Sequence, residues 1–244
     1  MNSSKMTTNG KLFLIPCPLG DQAPLESLSP QIKTAIKQQQ HFIVENEKEA
    51  RRFIKRICPK KKQNELVLYP LNKYTTELEY HRYLDVCESG ISIGLISDAG
   101  CPGIADPGAV VVALAHQKNI QVVPLVGPSS LLMALMASGL NGQQFTFHGY
   151  LPIAAKERNQ AIKKLERSSL QHQQTQLFIE TPYRNISLLG ALIQQLQPST
   201  LLTVACDLSL SSEWIKTYPV QHWKKLKLDS FHKRPSVFLV HGAN

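Results

Sequence analysis

The sequence is poor in signals for disulfides and metal sites. Its five cysteines are odd in number, widely scattered and form no CxxC pair: Cys17, Cys58, Cys87, Cys101 and Cys206. Such a set predicts neither a disulfide framework nor a zinc site, and it is typical of a reducing, cytoplasmic compartment. The histidines form no HExxH pattern, so we expect no metal cofactor.

Acidic residues are also in short supply. The chain carries 18 Asp and Glu against 27 Lys and Arg, which gives a net charge of +9. This excess favours an anionic partner, most commonly a nucleic acid. Lysine and arginine concentrate in "EARRFIKR" (49–56), "PKKKQ" (59–63) and "KERNQAIKKLER" (156–167), where they could contact phosphates. The alternative for the last stretch is a solvated charged face, with Ile162 and Leu165 packing inward.

Targeting and membrane signals are missing as well. The start, "MNSSKMTTNGK", lacks the apolar core of a signal peptide and predicts a loose tail. The 19 residues from Val122 to Leu140 carry no charge. Gly127-Pro128-Ser129-Ser130 divides them into a strand, a turn and an apolar helix, so we expect a buried element and not a membrane span.

What the sequence does contain is alternating strand and helix patterns. Predicted strands at 12–15, 41–46, 66–71, 91–96 and 120–126 alternate with predicted helices at 29–40, 47–58, 75–90, 108–117 and 129–138. This alternation predicts parallel βαβ units. From "FTFHGYLP" onward the pattern favours a mixed sheet. We therefore predict an α/β protein with domains at 11–120 and 121–244, the boundary lying between 120 and 150.

Three loops rich in glycine and proline follow predicted strands, at 16–20, 97–108 and 126–130. In parallel sheets, ligands bind beyond the carboxyl ends of the strands, where such loops lie. The densest loop, "SDAGCPGIADPG", matches neither GxGxxG nor a Walker phosphate loop. Because glycine removes Cβ and proline fixes the turn, it would let a ligand approach the backbone closely. The alternative is an elaborate structural turn.

Four segments together resemble a known family. They are "GLISDAGCPGIADPG", "VVPLVGPSS", "FTFHGYLP" and "FIETPYR", and the resemblance extends over about residues 11 to 240. The chain is similar to the superfamily that includes the tetrapyrrole methylases, and closest to its bacterial branch of 16S rRNA (cytidine-2′-O)-methyltransferases. That branch methylates the ribose of a cytidine in the decoding centre.

The resemblance implies a fold, a cofactor and a set of site residues. The fold would have a parallel-sheet N-terminal domain and a mixed-sheet C-terminal domain, with S-adenosylmethionine in the cleft between them, usually in a homodimer. The family's cofactor-binding positions fall on Leu19, Gly20, Asp98, Ala99, Gly100, Ile104, Ser129, Ser130, Glu180, Ala205 and Pro235.

The substrate-facing segments depart from the family pattern. "VENEKEARR" (44–52) stands where the family has roughly AEDTRHTRR, which keeps Glu45 and Arg51. Glu45 is the candidate catalytic base; the alternative is a helix N-terminal charge favoured by the dipole. "YTTELEY" replaces an HEHNE-like segment, and "CDLSL" replaces an RELTK-like one.

Three functions remain open from the sequence. The first is methyl transfer to a ribose 2′-hydroxyl of ribosomal RNA, with the small ribosomal subunit as partner. The second is methylation of a small anionic substrate such as a tetrapyrrole, although the first loop reads "PCPLGD" and not GxGPGD. The third is a non-catalytic, cofactor-binding protein associated with RNA.

Overall fold

The computed structural model describes residues 9–226 and 228–243. Of the tail that the sequence predicts at the N-terminus, residues 1–8 lie outside the described residues. The chain divides into two compact units between Pro128 and Ser129.

The first unit is built on a five-stranded, fully parallel sheet. Its strands run in the order β3-β2-β4-β1-β5. Their bounds are Lys11–Ile15 (β1), His41–Val44 (β2), Val67–Pro70 (β3), Ile93–Ile96 (β4) and Gln121–Pro124 (β5). The parallel N-terminal sheet predicted from the sequence is therefore confirmed.

Helices cover both faces of this sheet. They are Pro30–Gln38 (α1), Glu47–Ile57 (α2), Glu77–Tyr80 (α3), Asp85–Glu88 (α4) and Ala109–Gln117 (α5). Alternate residues of β2 point to opposite sides: Phe42 and Val44 enter the core that contains the buried residues of α1 and α2, and Ile43 enters the core that contains those of α4 and α5. Burial on both faces explains why these strands are almost continuously apolar.

The single helix predicted at 75–90 is wrong. The segment forms two one-turn helices, α3 and α4, with turns at residues 81–84 between them. At the break, Leu84 is fully buried and the Tyr83 hydroxyl donates to the Pro70 carbonyl at 2.6 Å. These tertiary contacts override the helical pattern, because local propensity is a weak term beside packing.

The second unit has a mixed five-stranded sheet in the order β6-β7-β10-β8-β9. The β6–β7 pair is parallel and the other pairs are antiparallel, as predicted for the second half. The strands are Phe145–Tyr150 (β6), Thr175–Glu180 (β7), Leu201–Cys206 (β8), Trp214–Pro219 (β9) and Ser236–His241 (β10). The helices are Ser130–Ser138 (α6), Ala155–His172 (α7), Asn185–Gln195 (α8) and Val220–Trp223 (α9).

Helix α6 is less buried than the sequence predicts. Ala134 and Leu135 are buried, but Leu132 is 51% and Met136 82% exposed. The lack of charge in this stretch therefore reflects one packed face and not burial on all sides. Within the described residues, no helix combines the length and the apolar character that a membrane crossing requires.

Candidate functional site

The three glycine- and proline-rich loops meet at the carboxyl edge of the first sheet. The backbone N–H of Cys17 donates to the Gly100 carbonyl at 2.9 Å, and the Gly100 N–H donates back at 3.1 Å. The Cys101 thiol donates to the Pro128 carbonyl at 3.3 Å. The loops after β1, β4 and β5 are thus joined directly to one another.

Two glycines allow the loops to approach so closely. Gly100 has a φ of +71°, and a Cβ there would lie 3.2 Å from Leu19 Cδ2. A Cβ on Gly127 would lie only 2.2 Å from the Cβ of Pro16. Since carbon atoms pack at about 3.5–4.0 Å, the second contact excludes any side chain at position 127 without movement of the loops.

A cavity of about 520 Å³ opens beside this junction. It brings together four of the sequence-predicted residues, Leu19, Gly20, Asp98 and Ala99. Its volume lies within the range of about 300–1,000 Å³ that is typical of ligand pockets. Its remaining walls come from the first loop, from Ser97 and from one face of α2, which carries Glu49, Ala50, Arg52, Phe53 and Arg56.

Two arginines of α2 bind the end of the first loop, at Asp21 and Ala23. Arg56 donates to the Asp21 carbonyl at 2.7 Å and to the Ala23 carbonyl at 2.6 Å. Arg52 forms ion pairs with Asp21 and Glu49. Sequence reasoning missed these residues as pocket walls and assigned the arginines to phosphate. Their helical spacing, 49, 52, 53 and 56, was the signal that places them on one face.

Three carboxyl groups lie within electrostatic reach of one another at this edge. Glu45 is half-buried at the end of β2, and its pKa is raised by desolvation and then by Asp98 and Asp106. The pKa of Asp98 is raised by desolvation and by Glu49. Burial likewise raises the pKa of Asp106, although its Oδ1 accepts hydrogen bonds from the N–H groups of Gly103 and Gly108. The carboxyl edge of the first sheet therefore favours the binding of a positively charged group.

Glu45 lies directly before the N-cap of α2. Asn46, and not Glu45, caps α2, since its side chain accepts from the N–H groups of Lys48 and Glu49. Glu45 lies before the cap, and its electrostatic partners are Asp98 and Asp106 on other loops. Glu45 is thus next to the helix N-terminus but outside the first helical turn, and its catalytic role stays a prediction.

The remaining sequence-predicted residues are distributed as follows. Ile104 lies on the second loop of the first unit and is 53% exposed. In the second unit, Glu180 ends β7, Ala205 is buried in β8, and the exposed Pro235 precedes β10. Ser236 pairs with both Glu180 and Cys206, so these three strand ends are neighbours. Ser129 and Ser130 stand at the start of α6.

Polar residues at the strand ends of the second unit have internal partners. Asp207 pairs with Arg234 at 2.8 Å, and the Cys206 thiol lies 3.0 Å from the Ser236 hydroxyl. Glu180 accepts hydrogen bonds from the Thr181 N–H and from the Arg184 guanidinium.

Among the residues that the structure describes, no group of three His, Cys, Asp or Glu side chains is arranged to hold a metal ion.

Known proteins are similar to this chain over most of its length. The chain is 28% identical to ribosomal RNA small subunit methyltransferase I of Vibrio cholerae, over 99% of this chain and 81% of the relative. It is 32% identical to the Bacillus subtilis protein of the same name, over 78% of this chain and 63% of the relative. No protein-family model matches the chain.

Two solved structures with the same architecture are methyltransferases. The structure of the methyltransferase CobJ has a TM-score of 0.64 at 16% identity, and the match covers 96% of this chain and 95% of that one. Uroporphyrin-III-C-methyltransferase from Thermus thermophilus has a TM-score of 0.55 at 16% identity, covering 95% and 92%. At these identities the likeness concerns the fold, whereas the sequence relatives indicate the branch. The chain is therefore a methyltransferase with the fold of these structures, and its sequence is related to the ribosomal RNA small subunit methyltransferases I.

Proposed function

We propose that this protein transfers a methyl group from S-adenosylmethionine to a ribose 2′-hydroxyl of small-subunit ribosomal RNA. The observation that carries the proposal is the cavity beside the junction of the three loops, which is lined by Leu19 and Gly20 of the first loop and by Asp98 and Ala99 of the second. These are the positions that match the family's cofactor loops. The names of the sequence relatives support ribosomal RNA as the substrate.

The cavity suits S-adenosylmethionine in size and charge. The carboxylates of Asp98 and Glu49 favour a cation such as a sulfonium. When bound, the cofactor supplies an electrophilic methyl group. We propose that the loops of the first unit hold it together with residues of the second unit, namely Ser129, Ser130, Glu180, Ala205 and Pro235.

Glu45 is the proposed base. A ribose hydroxyl is a weak nucleophile, so a carboxylate that accepts its proton assists the attack of the oxygen on the methyl carbon. The elevated pKa of Glu45, caused by burial and by Asp98, makes it a better proton acceptor than an exposed glutamate. The rigid loops would contribute by orientation, which can supply roughly 7–11 kcal/mol in well-aligned reactions.

Calorimetry with S-adenosylmethionine tests the cofactor assignment. We expect Asp98→Arg and Gly100→Trp to abolish binding, because the first reverses the favourable charge and the second fills the space beside Leu19. Gly142→Ala is the matched control, since a Cβ there meets nothing within 4 Å. Binding that survives both site variants would refute the assignment.

Radiolabelled methyl transfer tests the substrate. Small ribosomal subunits from a strain that lacks this protein should accept label on ribose, and Glu45→Gln should slow transfer without weakening cofactor binding. Label found only in an organic extract would instead favour a small anionic substrate. Normal turnover of Glu45→Gln would exclude Glu45 as the base.

The assembly and the compartment are part of the same proposal. The resemblance implies a homodimer, which sedimentation of the purified protein tests by mass. A ribosomal substrate implies a cytoplasmic protein, which fractionation of cells expressing the protein tests directly.

A further inference from the structure

A second cavity, of about 480 Å³, lies on the first unit away from the candidate cofactor pocket. It is formed where α1 ends and where the chain leaves α2, at the amino edge of the parallel sheet. We call it the lysine groove, and the residues of interest in its lining are Lys33, Lys37, Ile57, Pro59, Lys60 and Lys61.

Three lysines of the groove are uncompensated. Lys33, Lys37 and Lys60 are exposed, and within residues 9–226 and 228–243 no carboxylate lies within 4 Å of their ammonium groups. Lys62, in the same basic turn, differs because it pairs with Glu65 at 2.8 Å. Lys33 and Lys37 are four residues apart on α1, an arrangement in which like charges repel. An anion in the groove would relieve this repulsion.

The groove is held in shape by the protein itself. Lys61 donates to the carbonyl of Lys37 at 3.2 Å and to that of Gln39 at 2.6 Å, and the Cys58 thiol contacts the Lys33 carbonyl at 3.8 Å. Burial lowers the pKa of Lys61. The hydrogen bonds of the Lys61 ammonium connect the basic turn to α1. The charges of Lys33, Lys37 and Lys60 stay available to a ligand.

A further cavity lies next to both the lysine groove and the candidate cofactor pocket. This third cavity, between α1 and α2, shares Arg56 with the cofactor pocket and shares Lys33, Ile57 and Pro59 with the lysine groove. Helix α2 runs between the two ends, and its 11 residues span about 16 Å at roughly 1.5 Å each. A nucleic-acid strand in helical, stacked form rises roughly 3.4 Å per nucleotide and covers this distance in about five nucleotides.

We propose that the lysine groove binds the sugar–phosphate backbone of the RNA substrate about five nucleotides from the nucleotide that is methylated. The inference rests on the proposed function. It also accounts for a difficulty at the catalytic edge, where Glu45, Asp98 and Asp106 repel phosphate and where Arg52 and Arg56 are engaged with the first loop. Affinity for RNA must then come from cations elsewhere.

The test compares free and paired lysines. We would measure binding of a fluorescein-labelled single-stranded RNA of about 20 nucleotides at roughly 0.05 to 0.2 M salt. The triple variant Lys33→Gln, Lys37→Gln, Lys60→Gln should bind about tenfold to a hundredfold more weakly, and its log–log salt slope should fall by about 2, since each single-strand contact contributes roughly 0.7. Lys62→Gln is the matched control and should bind like the wild type.

Further readouts separate docking from folding. The triple arginine variant keeps the charge and should restore RNA affinity, whereas S-adenosylmethionine affinity should be the same in all variants. In the methylation assay, the triple glutamine variant should raise KM for ribosomal subunits and leave kcat unchanged. If the glutamine variant is unstable, the single change Lys60→Glu replaces it, with Lys62→Glu as its control.

The outcomes are distinct. Unchanged RNA affinity in the triple glutamine variant overturns the groove while leaving the proposed function intact. An equal loss in Lys62→Gln also overturns it, because total charge and not the groove would then govern binding. If the wild-type protein neither binds nor methylates RNA, the proposed function fails and the groove fails with it.

Discussion

Replacing Gly127 by alanine tests whether the contact between the first and third loops shapes the proposed cofactor pocket. The added Cβ would lie 2.2 Å from the Cβ and 2.6 Å from the Cγ of Pro16. Ordinary contact needs about 3.5 Å, so the two loops must separate by roughly 1.3 Å. The proline ring cannot rotate away from the new methyl group, and the backbone therefore has to move.

The expected effect has two components. Overpacking of this kind reduces the free energy of unfolding by about 1–3 kcal/mol. A displacement of about 1 Å at a site that works by alignment can reduce the rate about a hundredfold. We therefore expect Gly127→Ala to lower kcat/KM for methyl transfer by about two orders of magnitude and to weaken S-adenosylmethionine binding.

Urea unfolding, calorimetry and methyl incorporation measure these effects on the same preparation. Gly142→Ala again serves as control, because the same methyl group is added where no atom lies within 4 Å. If the two variants bind cofactor and turn over alike, close approach of the first and third loops does not matter for the site, and the reasoning is refuted.

The other predictions concern a titrating group, a buried ion pair and a helical glycine. Because a base must be deprotonated, kcat/KM should fall as the pH drops through the raised pKa of Glu45. Asp98→Asn should move this acid limb to lower pH, since a repelling carboxylate is removed; an unmoved limb would contradict the assignment. Arg184→Met should reduce the free energy of unfolding by about 3 kcal/mol in urea, because it leaves the Glu180 side chain, only 2% exposed, without its cation. Gly190→Ala should raise it by about 0.5–1 kcal/mol, because a Cβ at this position inside α8 meets nothing within 4 Å; a lower urea midpoint would refute this.

Much of the candidate site could be predicted from the sequence, because loops after parallel strands must collect at one edge of the sheet. Leu19, Gly20, Asp98 and Ala99 line one cavity as that rule requires. The role of Arg56 could not be predicted, since an exposed basic helix face and one that binds a neighbouring loop have the same spacing. Its carbonyl partner on Asp21 is 35 residues away.

Local patterns by themselves determined the elements of this protein. The apolar runs predicted the strands of the parallel sheet, and Ser29 and Asn46 cap α1 and α2 because a capping side chain needs only its own next few residues. Packing between distant segments decided the rest: the break between α3 and α4, the engagement of the α2 arginines and the raised pKa of Glu45. Burial and electrostatic fields are sums over neighbours in space, and those neighbours exist only once the chain has folded.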